Sequence, residues 1–221
     1  MQKNIACVII GGKGGDFVSP RSDGVLVMYA PIKGYDMAES LFPIERQREI
    51  DACKSEKVKR EKYLVWKLLV LAVKKRFNLD FANLEFTKTE NGKWVCPDFC
   101  FSLSHADGVV CVAVSDSPVG VDIERVGRVD PSFLDRFLTD TEREHSRTLP
   151  PLAAERFFFE AWVKKESLFK RSGGKALLPR SLDTLTADST ALSVVLNGDE
   201  YLIGLALSND TKYEIIYTEE I

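Results

Sequence analysis

Residues 99–124 read FCFSLSHADGVVCVAVSDSPVGVDIE, and their alternation decides the fold. Phe99, Phe101 and Leu103 share one face of a strand, with Ser102 and Ser104 on the other. Asp107-Gly108 makes a turn. Val109–Val114 is a β-branched run suited to a strand buried on both faces. A second turn at Asp116-Ser117-Pro118 leads to a third strand, in which Val119, Val121 and Ile123 face inward. Gly120, Asp122 and Glu124 take the other face. At a rise of roughly 3.3 Å per residue, the two acids stand about 6.6 Å apart, close enough to share one hard cation. Gly120 leaves room for something large to approach the strand. An isolated D-x-E is more commonly the wet face of a strand edge.

Working outward, residues 4–10 read as a strand and GGKGGD at 11–16 as a flexible loop, because the glycine spacing of a phosphate loop is missing. Pro43 to Asn78 reads as helical. Ser55 is the expected cap, and Val58, Lys62, Val65, Leu69, Ala72 and Val73 form the inward stripe. The cluster Lys57-Val58-Lys59-Arg60-Glu61-Lys62 is dense enough in cations to hold a phosphate group. LEFTKTENGKWV at 84–95 reads as a hairpin around Asn91-Gly92, with Lys93 just past the turn.

Beyond Glu124, Pro131–Leu138 reads as a short helix, and Thr139-Asp140-Thr141-Glu142 has the form of a capping box opening another. A long helix follows at 153–172. Its Trp162, Glu166 and Lys170, at i, i+4 and i+8, lie on one face. Gly173-Gly174 ends it. Leu192–Leu196, Tyr201–Leu207 and Tyr213–Tyr217 read as strands. The order of strands, long Trp-bearing helix and strands thus occurs twice, with a weak internal match of Trp66 to Trp162.

Composition is that of an ordinary globular chain: 221 residues, 45% hydrophobic, 29% charged, net charge −3. The charge argues against nucleic acid as a partner. No apolar run approaches the roughly 20 residues of a membrane span, and the first residues lack the apolar stretch of a secretory signal. Five cysteines without paired spacing suggest reduced thiols in a cytoplasmic protein. With His105 and His145 the only histidines, a zinc site is not expected.

GVDIE at 120–124 and WVKKESLFK at 162–170 resemble the two signature motifs of the 4′-phosphopantetheinyl transferases, and FSLSHADG at 101–108 resembles the same family's serine-histidine motif. Their order and spacing are similar to the two-lobed, single-chain (Sfp-type) group. The resemblance implies an α+β fold of two similar lobes, 1–117 and 118–221. A pseudo-twofold would relate them, each lobe a small antiparallel sheet on a long helix, with coenzyme A in the cleft. It implies a holo-[acyl-carrier-protein] synthase type of enzyme, one that moves the phosphopantetheine of coenzyme A to a carrier-protein serine and releases 3′,5′-adenosine bisphosphate. Asp122, Glu124 and Glu166 would hold Mg²⁺, or Mn²⁺ in its place. Glu166, Lys170 and Asp122 would be catalytic, Glu166 as base and Lys170 at the phosphates. Lys93, Ser104, His105, Lys170 and either Arg60 or Lys62 would contact coenzyme A.

The partners implied are an acyl or peptidyl carrier protein and coenzyme A. A basic patch of Lys164, Lys165, Arg171 and Lys175 is a candidate docking surface for an acidic carrier. The internal twofold makes a monomer the expectation. The alternatives are another Mg²⁺-dependent phosphate-transfer enzyme and a non-catalytic module that binds coenzyme A or the carrier.

Overall fold

The computed structural model describes residues 9–11, 24–33, 42–174, 176–208, 211–219 and 221. The architecture is α+β, in two compact units: Met1–Pro118 with Asp210–Ile221, and Val119–Asn209. Most of the expected strand at 4–10 and all but the first residue of the GGKGGD loop lie outside the described residues, as does Lys175.

The first unit contains strands β1 (Ile9–Gly11) and β2 (Gly24–Pro31), and helices α1 (Ile44–Asp51) and α2 (Glu56–Phe77). A two-stranded hairpin, β3 (Thr87–Lys88) with β4 (Trp94–Val95), precedes β5 (Cys100–Ala106) and β6 (Val109–Ser115). The main sheet runs β1-β10-β2-β6-β5, where β10 is Lys212–Tyr217 near the chain end. Although it follows the whole second unit, β10 pairs parallel to β2, Ile215 beside Val27. The valine run behaves as a doubly buried strand: every residue of β6 is buried, between β2 and β5. Asp107 and Gly108 both take positive φ, at 35° and 90°, the backbone of a tight two-residue hairpin turn.

Helix α2 packs on this sheet through Leu64, Val65, Leu68, Leu69, Ala72 and Val73 against Met28, Ala30, Val110 and Val112. Ser55 caps it by accepting from the Val58 amide, and Asn78 closes it at φ 55°. The stripe differs from the expected one at its start. Val58 is exposed, while Glu61 and Trp66 turn inward. Trp66 is inside because an aromatic box surrounds it, with Phe86 and Trp94 at 5.2 and 5.3 Å between centroids and Phe42, Phe81 and Phe101 beyond. Such ring contacts add to area burial. Residues 52–55 break the helical run, and Arg46 of α1 reconnects it by donating to the Lys62 carbonyl at 2.8 Å.

The second unit is a three-stranded antiparallel sheet, β7-β9-β8, under one long helix. Its elements are β7 (Gly120–Arg125), α3 (Pro131–Phe137), α4 (Asp140–Arg147), α5 (Pro151–Ser172), β8 (Thr190–Leu196) and β9 (Asp199–Ala206). Gly120 and Gly204 set the distance between helix and sheet. A Cβ on Gly120 would lie 1.8 Å from the Ser167 carbonyl oxygen, and one on Gly204 would lie 2.1 Å from that of Val163. Both contacts are with helix backbone, so only glycine fits. No described helix is long and apolar enough to cross a membrane. Cys53, Cys96, Cys100 and Cys111 carry no disulfide.

Candidate functional site

Strand β7 and helix α5 build the acid-bearing site of the second unit. Gly120, Asp122 and Glu124 alternate onto the face that meets α5, because Gly120 touches the Ser167 backbone. The acids are therefore not on a wet edge: Asp122 is buried at 4% exposure and Glu124 half-buried. The large object for which Gly120 leaves room is the helix of its own unit.

That close approach brings α5 side chains to Asp122. Lys170 Nζ donates to Asp122 Oδ1 at 2.6 Å. Burial pushes the Glu166 carboxyl above the usual carboxylate range. The charge of Asp122 pushes it further in the same direction, against an opposing pull from Lys170. Asp122, Glu166 and Lys170 thus form one electrostatic group on a strand and a helix face. Glu124 lies two positions along the same strand face, but among the described residues no three acidic, histidine or cysteine side chains are gathered as around a metal ion. In chemistry the set fits Mg²⁺: hard carboxylate oxygens, two of them coupled by repulsion that a cation relieves. Lys170 places a positive charge beside the two carboxylates.

Trp162, the first member of the Trp162-Glu166-Lys170 face, stacks on Phe137 of α3 at 4.5 Å and 16°. This ties the face to a small apolar cluster of Phe137, Leu138, Phe157, Phe158 and Ala161. Lys165, read above as part of an exposed basic patch, is instead fully buried. It donates to Glu142 Oε2 at 2.6 Å and to the carbonyls of Phe137 and Pro179 at 3.0 and 2.8 Å. Glu142 also accepts from the Thr139 and Thr184 amides and the Thr184 hydroxyl. A long cation enters the interior only where such partners await it.

The remaining sequence-derived residues lie in the first unit. Ser104 is buried and His105 exposed at the end of β5. Lys93 follows Gly92 in the hairpin turn, and burial lowers its ammonium below the usual range. Arg60 lines a cavity of about 340 Å³ with Ile32, Lys57, Glu61 and Gly108; Lys62 is not among those lining residues. Sequence reasoning missed Glu61. Its signal was the lone acid in a lysine-rich run, four residues from Lys57, at a position the helix turns inward.

The profile of the 4′-phosphopantetheinyl transferase superfamily matches residues 118–215, a span holding Asp122, Glu124, Glu166 and Lys170. The chain is similar to the 4′-phosphopantetheinyl transferase gsp of Aneurinibacillus migulanus, 35% identical over 103 residues, 46% of this chain and 44% of the relative. It is also similar to psf-1 of Bacillus pumilus, 35% over 100 residues, 44% and 43% of the two chains. A third relative is Sfp of Bacillus subtilis, 28% over 110 residues, 48% and 49%. The match spans about half the length of these curated relatives. Over residues 118–215 the chain is thus similar to the 4′-phosphopantetheinyl transferase superfamily.

Proposed function

We propose that this protein transfers the 4′-phosphopantetheine of coenzyme A to a serine hydroxyl of an acyl or peptidyl carrier protein. The observation that carries the reading is the Asp122–Lys170 ion pair beside Glu166, inside the span matched to the superfamily. The relatives' names, 4′-phosphopantetheinyl transferase, support it.

The serine oxygen attacks the β-phosphorus, and the bond from that phosphorus to the bridging oxygen breaks, releasing 3′,5′-adenosine bisphosphate. A serine hydroxyl is a weak nucleophile, so its proton must go to a base. Glu166 fits that role because burial and Asp122 raise its carboxyl toward the working pH. Lys170 places a cation where leaving-group charge develops. Asp122, Glu124 and Glu166 would hold Mg²⁺, which supplies charge neutralisation at the diphosphate oxygens. Lys93, Ser104, His105 and Arg60 are the proposed contacts of the nucleotide portion, with Lys62 a weaker candidate because it does not line the cavity. The reading includes two half-alike lobes. Its support is that each unit, taken by itself, packs one 22-residue helix on a sheet.

Mass spectrometry of apo carrier proteins incubated with the chain, coenzyme A and Mg²⁺ tests the proposal. The expected result is a gain of one phosphopantetheine per carrier, abolished by Glu166→Gln. Coenzyme A bound without product on any carrier would leave a binding module instead.

A further inference from the structure

Glu61 is a buried acid in a lysine-rich stretch of the chain. It sits in the second turn of α2 at 5% exposure and lines the cavity with Lys57 and Arg60. Its Oε2 lies 3.4 Å from His105 Nδ1, and its Oε1 lies 3.9 Å from Lys57 Nζ. Lys57 also reaches Asp107 Oδ1 at 3.5 Å, in the turn after His105. The backbone beside it is fixed, since the Ile32 amide donates to the Gly108 carbonyl at 2.6 Å.

We propose that Glu61 is a positioning residue, holding His105 and Lys57 at this cavity as the seat of a terminal phosphate monoester. The inference rests on the coenzyme A reading above, and it assigns the 3′-phosphate recognition a carboxylate at its base. A carboxylate accepting from Nδ1–H fixes the ring's orientation and leaves Nε2 facing outward, where it donates in the imidazolium form. The same carboxylate stabilises the imidazolium form, which is the better phosphate ligand. The charges make His105 decisive. Lys57 and Arg60 are matched in number by Glu61 and Asp107, so a net positive charge at the cavity requires the imidazolium form of His105. A buried acid placed there only to fill space would cost desolvation without return.

Calorimetric titration of the full chain with coenzyme A and with dephospho-coenzyme A, which lacks only the 3′-phosphate, reads this role directly. Wild type, Glu61→Gln, His105→Ala and the double variant are compared in the absence of carrier. Glu61→Gln is expected to weaken coenzyme A about tenfold and to leave dephospho-coenzyme A within about twofold. The double variant should bind coenzyme A no worse than His105→Ala alone, because Glu61 acts through the histidine. A purely structural carboxylate would move both nucleotides together and leave their ratio unchanged. Should Glu61→Gln fail to fold, Glu61→Asp draws the carboxylate back by one methylene and should lower the same ratio. A wild type that binds coenzyme A, with a ratio unchanged or raised in the Glu61 variants, overturns the role of Glu61 alone. A wild type that binds neither nucleotide overturns the coenzyme A reading and this role with it.

Discussion

Lys170 Nζ donates to Asp122 Oδ1 across 2.6 Å, joining the last turn of α5 to the middle of β7. The partners are unequal: the Asp122 side chain is 6% exposed, the Lys170 side chain 26%. Loss of the lysine strips a buried carboxylate of that cation, whereas loss of the carboxylate leaves a long ammonium able to reach water. Lys170→Met is therefore expected to cost about 2 kcal/mol in urea denaturation, and Asp122→Asn under about 1 kcal/mol. Equal costs would show that Asp122 does not depend on the lysine.

Glu166 pays for its position in stability. Burial first, then the Asp122 charge, raises its carboxyl above the unfolded value. A raised folded-state pKa means that the native state holds the proton more tightly than the unfolded chain. The associated stability is present below the ordinary carboxylate range and is lost as pH rises through the folded value. Glu166→Gln removes the ionisation, so with chelator present its Tm should exceed wild type by about 2–4 °C at pH 7. That gain should shrink toward pH 4. A variant less stable than wild type at pH 7 would contradict the assigned sign. The same variant is expected to lose carrier modification, a separation of stability from activity typical of strained functional sites.

Much of this arrangement is legible in local pattern, and the remainder is not for identifiable reasons. Thr139 and Glu142 announce their capping box, and the structure contains it. The pattern cannot show that the same Glu142 receives Lys165, because that partner lies 23 residues away. Counting cations along the chain placed Lys165 on a surface patch and hid Glu61, since helix rotation decides which charge turns inward. Gly120 signalled a close approach without naming what approaches. Strand β10 has readable alternation, but its parallel partner begins at Gly24, a pairing no local signal specifies. The Asp122, Glu166 and Lys170 grouping was reachable because period 2 on a strand and i, i+4 on a helix each fix a face.

The contact of Gly120 with the Ser167 carbonyl makes a graded test of helix–sheet packing. Gly120→Ala puts a methyl group 1.8 Å from a backbone oxygen that cannot move without shifting α5. The expected cost is about 3 kcal/mol or more, the upper part of the overpacking range. Gly127→Ala is the control, because nothing lies within 4 Å of its added Cβ; it should change stability by less than about 0.5 kcal/mol. Carrier modification by Gly120→Ala should fall further than its folded fraction, since Glu166 and Lys170 ride on the displaced helix. Comparable stability of the two variants would mean that α5 slides freely over β7.

The buried Lys165–Glu142 pair holds the far side of α5, and its loss cannot be repaired by water. Burial alone would raise the Glu142 carboxyl, but donors from Lys165, Thr184 and Thr139 outweigh it and hold the group below the usual range. Stability from such a depressed carboxyl is present above the unfolded pKa and is lost as pH falls through the folded value. Lys165→Met removes one donor and leaves the carboxylate charged in the interior, at a cost of about 3–5 kcal/mol at pH 7. It also moves the acid-unfolding limb to higher pH, because burial then prevails. Lys165→Met with Glu142→Leu should recover only part of the loss. The carbonyls of Phe137 and Pro179 and the amides of Thr139 and Thr184 each lose a partner that the apolar pair cannot replace. Urea denaturation of wild type and the two variants at pH 7 and pH 4 measures both effects, and a Lys165→Met variant within about 1 kcal/mol of wild type would remove this pair from the structural account of α5.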